Sequence, residues 1–382
     1  MLKNLFILAA AAAALPASAM SSSEWAAVGP VQVVAKAPSD SPSITDKVGR
    51  AGMVAALVHT PEGDRILAIG GANFPNAKPG AKTPAERGAK VFYDEILSFN
   101  PADGSCAVLA KLPYPIGYAA HTSGGDTHTS GGDSMVIAGG CNMDGHVATV
   151  TRILADGSTE ALPALPVTTA YPAFVQRYGK LYVFGGQEKA ESVTCLSRSF
   201  VLDLQNPAAG WQELAPMPGE GRMLAVAGTA LGTWDDGKIY VAGGCSLHPD
   251  AKGAAERTYL KSTLCYDPAT DTWTQVADIP ETIVAPAGPM PAIRDNLLLI
   301  CGDPGNYYRA SLVGKAPAEH PGQNTAIYAY NIDSGTWSVA GRNGIGIATA
   351  PAVNVFGTVF IISGETHPGI RTPLISNIQI KK

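Results

Sequence analysis

Two side chains near the C-terminal end of the sequence have the types and spacing that acid–base chemistry needs. Glu365 and Arg371 lie on either side of Pro368-Gly369 in the segment GETHPGIRT. Pro-Gly favours a turn, so a hairpin folded there brings the carboxylate and the guanidinium together. Such a pair can transfer a proton beside an anion-binding group. An exposed cross-strand ion pair is the alternative, and the spacing alone favours that alternative.

Five further polar residues are candidate substrate contacts. Four of them follow apolar runs that end in glycine and should reach the same end of the fold: Asn73, Asn142, Gln187 and Asn306. Arg222, at the start of the fourth repeat, is a second candidate contact for an anion. Loop positions of this kind often carry function, but each residue also has a simpler interpretation as a turn-stabilising side chain.

The elements that must position these residues are repeated along the chain. Six apolar β-type runs end in a glycine pair or a close variant of one: Ile66–Gly71, Met135–Gly140, Leu181–Gly186, Ile239–Gly244, Leu298–Asp303 and Val359–Glu365. A unit of a few short strands cannot bury its faces alone and must stack on its neighbours. With four strands per unit, the pattern predicts an all-β, six-bladed β-propeller of kelch repeats.

The repeats also predict how the ring closes. The last repeat lacks its fourth strand, and the matching pattern, a tryptophan followed by apolar residues, occurs instead at Trp25–Val28. An N-terminal strand is therefore expected to complete the last blade, which removes two open sheet edges. Residues 20–382 then form one domain, with blades at about 50–113, 114–166, 167–219, 220–281, 282–343, and 344–382 plus 24–30.

Residues 1–19 have the features of a cleavable signal peptide. Lys3 precedes the apolar stretch Leu5–Leu15, and Ala17-Ser18-Ala19 offers small residues for cleavage after Ala19. Removing this segment leaves 26 Lys+Arg (27 minus Lys3) against 32 Asp+Glu, a net charge of −6. We expect export to the periplasm or beyond. The mild acidity argues against nucleic acid and anionic membranes as partners.

The sequence gives little reason to expect a metal or a cofactor. Its six cysteines show no Cys-x-x-Cys spacing, which makes a zinc site improbable and favours buried free thiols, with one or two disulfides left open. The tandem segment His121–Asp133 (HTSGGDTHTSGGD) contains two His and two Asp, yet a duplicated hairpin insertion explains it better than a metal site.

The segment GETHPGIRT resembles the Gly-Glu-x-x-Pro-Gly-[Leu/Ile]-Arg-Thr motif of bacterial N-acetylneuraminate epimerases, the periplasmic kelch-type sialic acid mutarotases. Trp337–Gly341 and Gly70–Phe74 also match, and the order of repeats is similar to that of a cyclically permuted branch. The resemblance implies an isomerase of carbohydrate metabolism that needs no cofactor and takes a sialic acid as substrate. It implies that Glu365 is the general base and acid. Arg371 would then be its electrostatic partner or the clamp on the sugar carboxylate.

Three other functions stay open. The ring could bind carbohydrate without catalysis, or serve as a protein–protein scaffold. A copper radical oxidase on a similar ring would need paired His and a Tyr–Cys constellation, and the seven His show no such pairing. The sequence fixes neither the sugar nor the choice between a monomer and a homodimer.

Overall fold

The computed structural model describes residues 31–35, 39, 41–77, 84–123, 133–305 and 322–380. These residues form six four-stranded antiparallel blades, with one extra strand on the first. From the innermost to the outermost strand, blade one consists of β2 (Ala51–Thr60), β3 (Gly63–Asn73), β5 (Glu95–Phe99) and β6 (Cys106–Lys111), and blade two of β7 (Ala120–His121), β8 (Ser134–Ala138), β11 (Val150–Leu154) and β12 (Thr159–Leu162). Blade three consists of β13 (Ala173–Arg177), β14 (Lys180–Phe184), β15 (Ser199–Asp203) and β16 (Gln212–Leu214), and blade four of β17 (Val226–Gly228), β18 (Ile239–Ala242), β21 (Thr263–Asp267) and β22 (Thr272–Val276). Blade five consists of β23 (Ala292–Ile293), β24 (Asn296–Ile300), β25 (Ala326–Asn331) and β26 (Thr336–Arg342), and blade six of β27 (Ala352–Val355), β28 (Thr358–Ile362), β31 (Ile375–Ile380) and β1 (Val33–Ala35). The predicted six-bladed β-propeller is confirmed.

Shorter elements lie in the loops between the blade strands. Strand β4 (Val91–Phe92) pairs with β3, and three hairpins are formed by β9 (Cys141–Asn142) with β10 (Gly145–His146), β19 (Cys245–Pro249) with β20 (Ala255–Tyr259), and β29 (Glu365–His367) with β30 (Ile370–Arg371). Helix α1 (Pro84–Arg87) and two 3-10 turns (Pro207–Ala209 and Gly232–Trp234) also lie among the described residues. None of these helices has the length and apolar character needed to cross a membrane.

An N-terminal strand closes the last blade, as predicted, but the strand that the structure describes in this position is Val33–Ala35 rather than Trp25–Val28. Val33 of β1 lies opposite Ile380 of β31, and Ala35 lies opposite Ile378, in antiparallel register. The side chain of Val33 is buried in the core between blades five and six, whereas Val34 is 52% exposed. The predicted strand Trp25–Val28 lies outside the described residues.

The core consists of layers between neighbouring blades. On β8, Met135 and Ile137 pack toward blade one, whereas Val136 and Ala138 pack toward blade three. Successive side chains of a strand point to opposite faces, and both faces of this blade are covered. This double burial explains why the second strand of each blade is a nearly continuous apolar run rather than an alternating one.

The glycine pairs turn the chain out of these buried strands. In blade two, Gly139 and Gly140 have φ of 66° and 97°, and a Cβ on Gly140 would lie 2.7 Å from the carbonyl oxygen of Gly117. The left-handed backbone and the close packing both favour glycine here. In blade six, Ser363 takes the first position with φ of 58°, and Gly364 takes the second. Each turn directs the next residue toward one end of the central channel.

A closed ring of six backbone hydrogen bonds surrounds this end of the channel. The N–H of each ring member donates to the carbonyl of the member before it, at 2.7–2.9 Å, in the order Gly52, Tyr118, Tyr171, Leu224, Ala285, Thr349 and back to Gly52. All six have left-handed φ, between 52° and 67°. We call this end of the channel the mouth. Blades one and six are neighbours there only because the ring is closed.

Candidate functional site

The hairpin of blade six brings the two predicted catalytic side chains into contact. Glu365 on β29 lies opposite Arg371 on β30, and Arg371 Nη2 is 3.0 Å from Glu365 Oε2. The Arg371 side chain is 4% exposed and the Glu365 side chain is 18% exposed. The pair is therefore far less solvated than the exposed ion pair that the spacing alone favoured.

Both carboxylate oxygens of Glu365 have partners. The backbone N–H of Gly369 donates to Oε1 at 3.1 Å, while Oε2 faces Arg371. Burial raises the pKa of Glu365 above its ordinary value, and Arg371, the Gly369 amide and the cations Lys90 and Arg87 oppose this rise. A carboxyl group with a raised pKa that keeps a cationic neighbour can both accept and return a proton near neutral pH.

The pair lies at the mouth of the channel. Glu365 directly follows Gly364 and forms a β-bridge with Ala348, the residue before ring member Thr349. The Tyr118 hydroxyl interacts electrostatically with both Glu365 and Arg371, and burial raises the pKa of Tyr118 well above its ordinary value. A cavity of about 80 Å³ in the channel is lined by all six ring members, so Tyr118 lies both on its wall and beside the Glu365–Arg371 pair.

Aromatic rings form the floor of the mouth. The rings of Tyr118 and Tyr171 are 4.8 Å apart and tilted by 47°. A Cβ on Gly52 would lie 2.4 Å from Cδ1 of Tyr118, so the glycine makes room for that ring. Phe92 meets Tyr118 edge-on at 6.4 Å. Most of the remaining lining residues are small, which leaves the aromatic floor accessible.

Two cations from blade one lie beside Arg371. The guanidinium of Arg371 lies 4.8 Å from the ring centroid of Phe74, and that of Arg87 lies 5.6 Å from the same ring. Lys90 Nζ lies 4.5 Å from the ring centroid of Tyr118. Three cationic side chains therefore surround the single carboxylate of Glu365, although the whole chain is acidic.

Several guanidinium N–H groups of these cations have no hydrogen-bond acceptor in the part of the chain that the structure describes. Nε and Nη1 of Arg371 and Nε of Arg87 are buried and have no hydrogen-bond partner among the described residues. A buried donor without a partner costs about 1–3 kcal/mol. An anionic ligand that accepts hydrogen bonds from these groups would remove the cost, because charge-assisted hydrogen bonds are stronger than neutral ones.

Three of the predicted substrate contacts make hydrogen bonds to the protein backbone. Asn73 is buried and donates to the carbonyl of Gly49. Asn142 accepts from the N–H of Asp144 at 2.8 Å in the β9–β10 turn. Gln187 donates to the carbonyl of Ser192 at 3.1 Å. Asn306 lies outside the described residues.

Arg222 is buried between strands and donates to the carbonyl of Gly243 at 3.2 Å. Burial lowers its pKa to about 10. Arg50 makes the equivalent bond to Gly70 in blade one, and Thr169 makes it to Gly185 in blade three. In all three blades a side chain at the equivalent position donates to the carbonyl of the first glycine of the pair, so the hydrogen bond of Arg222 is structural.

The opposite side of the mouth carries a second polar group. The Tyr259 hydroxyl donates to Asp303 Oδ2 at 3.1 Å, and Arg257 interacts electrostatically with both residues and with Cys245. Cys245 and Asp303 occupy the position that Glu365 holds in blade six. All six cysteines are free thiols, and no group of three or more potential metal-binding side chains occurs in the part of the chain that the structure describes.

Sequence reasoning did not find Arg87, Lys90, Tyr118 or Tyr171. Tyr118 and Tyr171 occupy equivalent positions at the start of the innermost strand, so an alignment of the repeats could have singled them out. Arg87 and Lys90 belong to the long loop of blade one, whose composition gave no sign that it packs against blade six.

Comparisons with known proteins agree with this architecture. A Kelch motif matches residues 235–280, within blade four. The chain is 26% identical over 250 residues to an N-acetylneuraminate epimerase of Yersinia enterocolitica (59% of each chain), and 25% identical over 194 residues to one of Haemophilus influenzae (45% of this chain, 49% of the relative). It is also 31% identical over 111 residues to Kelch-like protein 41 of Rattus norvegicus (29% of this chain, 16% of the relative).

The chain thus matches only about half to three-fifths of the length of these named epimerases. The order of repeats that suggested a cyclic permutation stays a prediction. The resemblance itself is confirmed: this kelch-type propeller is similar to N-acetylneuraminate epimerases at about 25% identity over roughly half of its length.

Proposed function

We propose that this protein is an isomerase that interconverts the anomers of a sialic acid such as N-acetylneuraminate. The observation that carries the proposal is the partly buried Glu365–Arg371 pair at the mouth, with unpartnered guanidinium donors beside a carboxylate of raised pKa. The names of the epimerase relatives support the choice of sugar.

The chemistry suits a carboxylate that accepts and returns one proton. A sialic acid is a cyclic hemiketal of a 2-keto acid. Glu365 takes the proton of the anomeric hydroxyl, the ring oxygen receives a proton, and the bond between the anomeric carbon and the ring oxygen breaks. The open keto form rotates, and the ring recloses on the other face. General acid–base assistance supplies about 10²–10⁴-fold, enough for a reaction that already proceeds unaided.

Arg371 would bind the carboxylate of the sugar. Its Nε and Nη1 are the donors left without partners, and they lie next to the nitrogen that faces Glu365. These two nitrogens lie on different edges of the guanidinium, so each can donate one charge-assisted hydrogen bond to an oxygen of an anionic substrate. The aromatic floor of Tyr118 and Tyr171 would pack against the apolar face of the sugar ring.

We further propose that the protein acts after export, because residues 1–19 have the pattern of a signal peptide. Blades one, two, three and six of a single chain supply all the groups invoked here. A monomer and a homodimer are therefore equally compatible with the activity.

Proton NMR of freshly released α-N-acetylneuraminate tests the proposal. A sialidase releases the α-anomer, and the decay of its signal is followed with and without the protein. We expect wild type to accelerate equilibration and Glu365→Gln to lose at least about 10²-fold of kcat. Glu213→Gln is the matched control, since Glu213 forms an exposed ion pair with Arg198 on blade three. Failure of wild type to accelerate, or full activity of Glu365→Gln, would refute the proposal.

A ring that binds a sugar or a protein without catalysis is the second candidate. The Kelch motif and the similarity to Kelch-like protein 41 favour it, because neither one implies an enzyme. In that case calorimetry would detect N-acetylneuraminate or another ligand at the mouth while the NMR time course stayed at its uncatalysed rate.

A further inference from the structure

Lys90 is held at the mouth by aromatic rings rather than by an anion. It immediately precedes β4, whose Phe92 lies opposite Ala72 of β3. Nζ of Lys90 lies 4.5 Å from the centroid of Tyr118 and 4.8 Å from that of Phe92. The side chain is half-buried, and no hydrogen-bond or salt-bridge partner for its ammonium exists among the described residues.

This placement is unusual for a lysine. A partly buried ammonium normally has a carboxylate or carbonyl partner, because desolvation without one is costly. Two cation–π contacts offset part of that cost. The ammonium nevertheless keeps unused N–H donors at the mouth. A structural lysine would gain more from an acid, so the arrangement suits a group that meets a ligand.

The titratable neighbours of Lys90 come from several elements. Glu365 on β29, Arg371 on β30 and Cys141 on β9 all act on it electrostatically, and Tyr118 packs against it. Burial lowers the pKa of Lys90 below its ordinary value, and Arg371 lowers it further, whereas Cys141 and Glu365 raise it. An ammonium in such surroundings gives up its proton more readily than a solvated lysine.

We infer that Lys90 is the second catalytic residue, which protonates the ring oxygen of the sugar when the ring opens and takes that proton back when it recloses. The inference rests on the proposed function. On opening, Glu365 takes the anomeric proton, Lys90 gives a proton to the ring oxygen, and the carbon–oxygen bond breaks to leave a ketone and a hydroxyl. On reclosure the hydroxyl proton returns to Lys90, its oxygen attacks the other face, and Glu365 returns its proton to the carbonyl oxygen.

Tyr118 is the other donor at this position, and it suits the role less well. Burial and the charge of Glu365 both raise the pKa of its hydroxyl. Proton transfer is most efficient when the pKa of the donor lies near the working pH, so Tyr118 is poorly matched to the task. Its ring contributes the floor of the site and one face of the cage around Lys90.

Two substitutions separate proton transfer from charge. Lys90→Arg keeps a cation, but a guanidinium does not release a proton in proteins. We expect kcat to fall about 10²–10⁴-fold while KM changes less than about threefold. Lys90→Met removes the charge as well, so KM should also rise. Lys111→Arg is the matched control, since Lys111 lies on the outer strand of blade one and its side chain is 63% exposed.

The pH profile gives a readout that a merely structural role would not change. Wild-type kcat should fall as the pH rises through the lowered pKa of Lys90, because the amine can no longer donate. In Lys90→Arg the residual rate should lack this alkaline limb, while the acid limb that belongs to Glu365 stays.

The two proposals can fail separately. An inactive wild type would refute the proposed function. An active wild type together with an unimpaired Lys90→Arg, or a Lys90→Arg that keeps the alkaline limb, would refute the role of Lys90 alone. Circular dichroism melting curves check that each variant is folded. An unfolded Lys90→Met leaves the decision to Lys90→Arg, and if that variant is also unfolded Lys90 is structural and the inference is wrong.

Discussion

At the scale of single residues, burial and the charge of neighbouring cations have opposite effects on the pKa of Glu365. Burial raises the pKa of Glu365, and Arg371 is the largest influence that opposes the rise. A carboxylate in water would be a weak base, and one buried without a cation would stay protonated at neutral pH. Arg371 therefore limits how far burial raises the pKa of Glu365, and the carboxylate is a stronger base than one in water.

Removing the guanidinium should change the pH dependence as well as the rate. In Arg371→Met the pKa of Glu365 should rise further, so the acid limb of kcat/KM moves to higher pH. Loss of the bond to the sugar carboxylate should cost about 2–4 kcal/mol, roughly 30- to 1,000-fold in kcat/KM. Arg371→Lys should keep the acid limb near its wild-type position. A pH–rate profile of the three proteins checks this, and an unmoved limb in Arg371→Met would contradict it.

At the scale of elements, the innermost strands set the shape of the mouth. Gly52 is the glycine of the hydrogen-bonded ring, and its missing side chain leaves room for the ring of Tyr118. The other ring members adopt left-handed φ with a Cβ, so the conformation alone does not demand glycine there. At Gly52 it is the close contact with the ring of Tyr118 that requires glycine.

Gly52→Ala should therefore lower the free energy of unfolding by more than its left-handed backbone conformation alone implies. Gly232 has φ of 68°, next to 67° at Gly52, but an added Cβ there meets nothing within 4 Å. We expect Gly232→Ala to lower the free energy of unfolding by about 1–2 kcal/mol through left-handed strain. Gly52→Ala should lose about 1–3 kcal/mol more through overpacking, and should raise KM by displacing Tyr118. Urea denaturation measures the loss of stability, and NMR kinetics measure KM. Equal losses of stability in Gly52→Ala and Gly232→Ala would show that the ring of Tyr118 moves aside without a free-energy cost.

The sequence could predict the elements better than the contacts between them. The six glycine-terminated runs and the Pro-Gly hairpin are local patterns, and the structure has both. Lys90 and Arg87 were missed because their approach to Arg371 depends on ring closure, which joins residues far apart in the chain. Arg222 resembled an anion contact because its hydrogen bond to Gly243 is equally invisible in a local pattern.

At the scale of the whole molecule, closure of the ring also assembles the site. Glu365 and Arg371 belong to blade six, Lys90 and Arg87 to blade one, and Tyr118 to blade two. Blades one and six are the two ends of the repeat series, and the N–H of Gly52 donating to Thr349 joins them at 2.7 Å. Completion of blade six by β1 should therefore matter for activity as well as for stability.

Val33 and Val34 provide a test of closure with neighbouring residues of one strand. Val33 is buried against blades five and six, and a Cβ on Gly341 of β26 would lie 2.7 Å from its carbonyl oxygen, whereas Val34 is 52% exposed. Val33→Asp buries a charge and should cost at least about 3 kcal/mol of unfolding free energy. Val34→Asp should stay within about 0.5 kcal/mol of wild type. Urea midpoints measure the difference, and activity should fall in Val33→Asp at denaturant concentrations that leave Val34→Asp intact. Equal midpoints for the two variants would mean that β1 does not stabilise the ring, and that the contact between blades one and six holds without it.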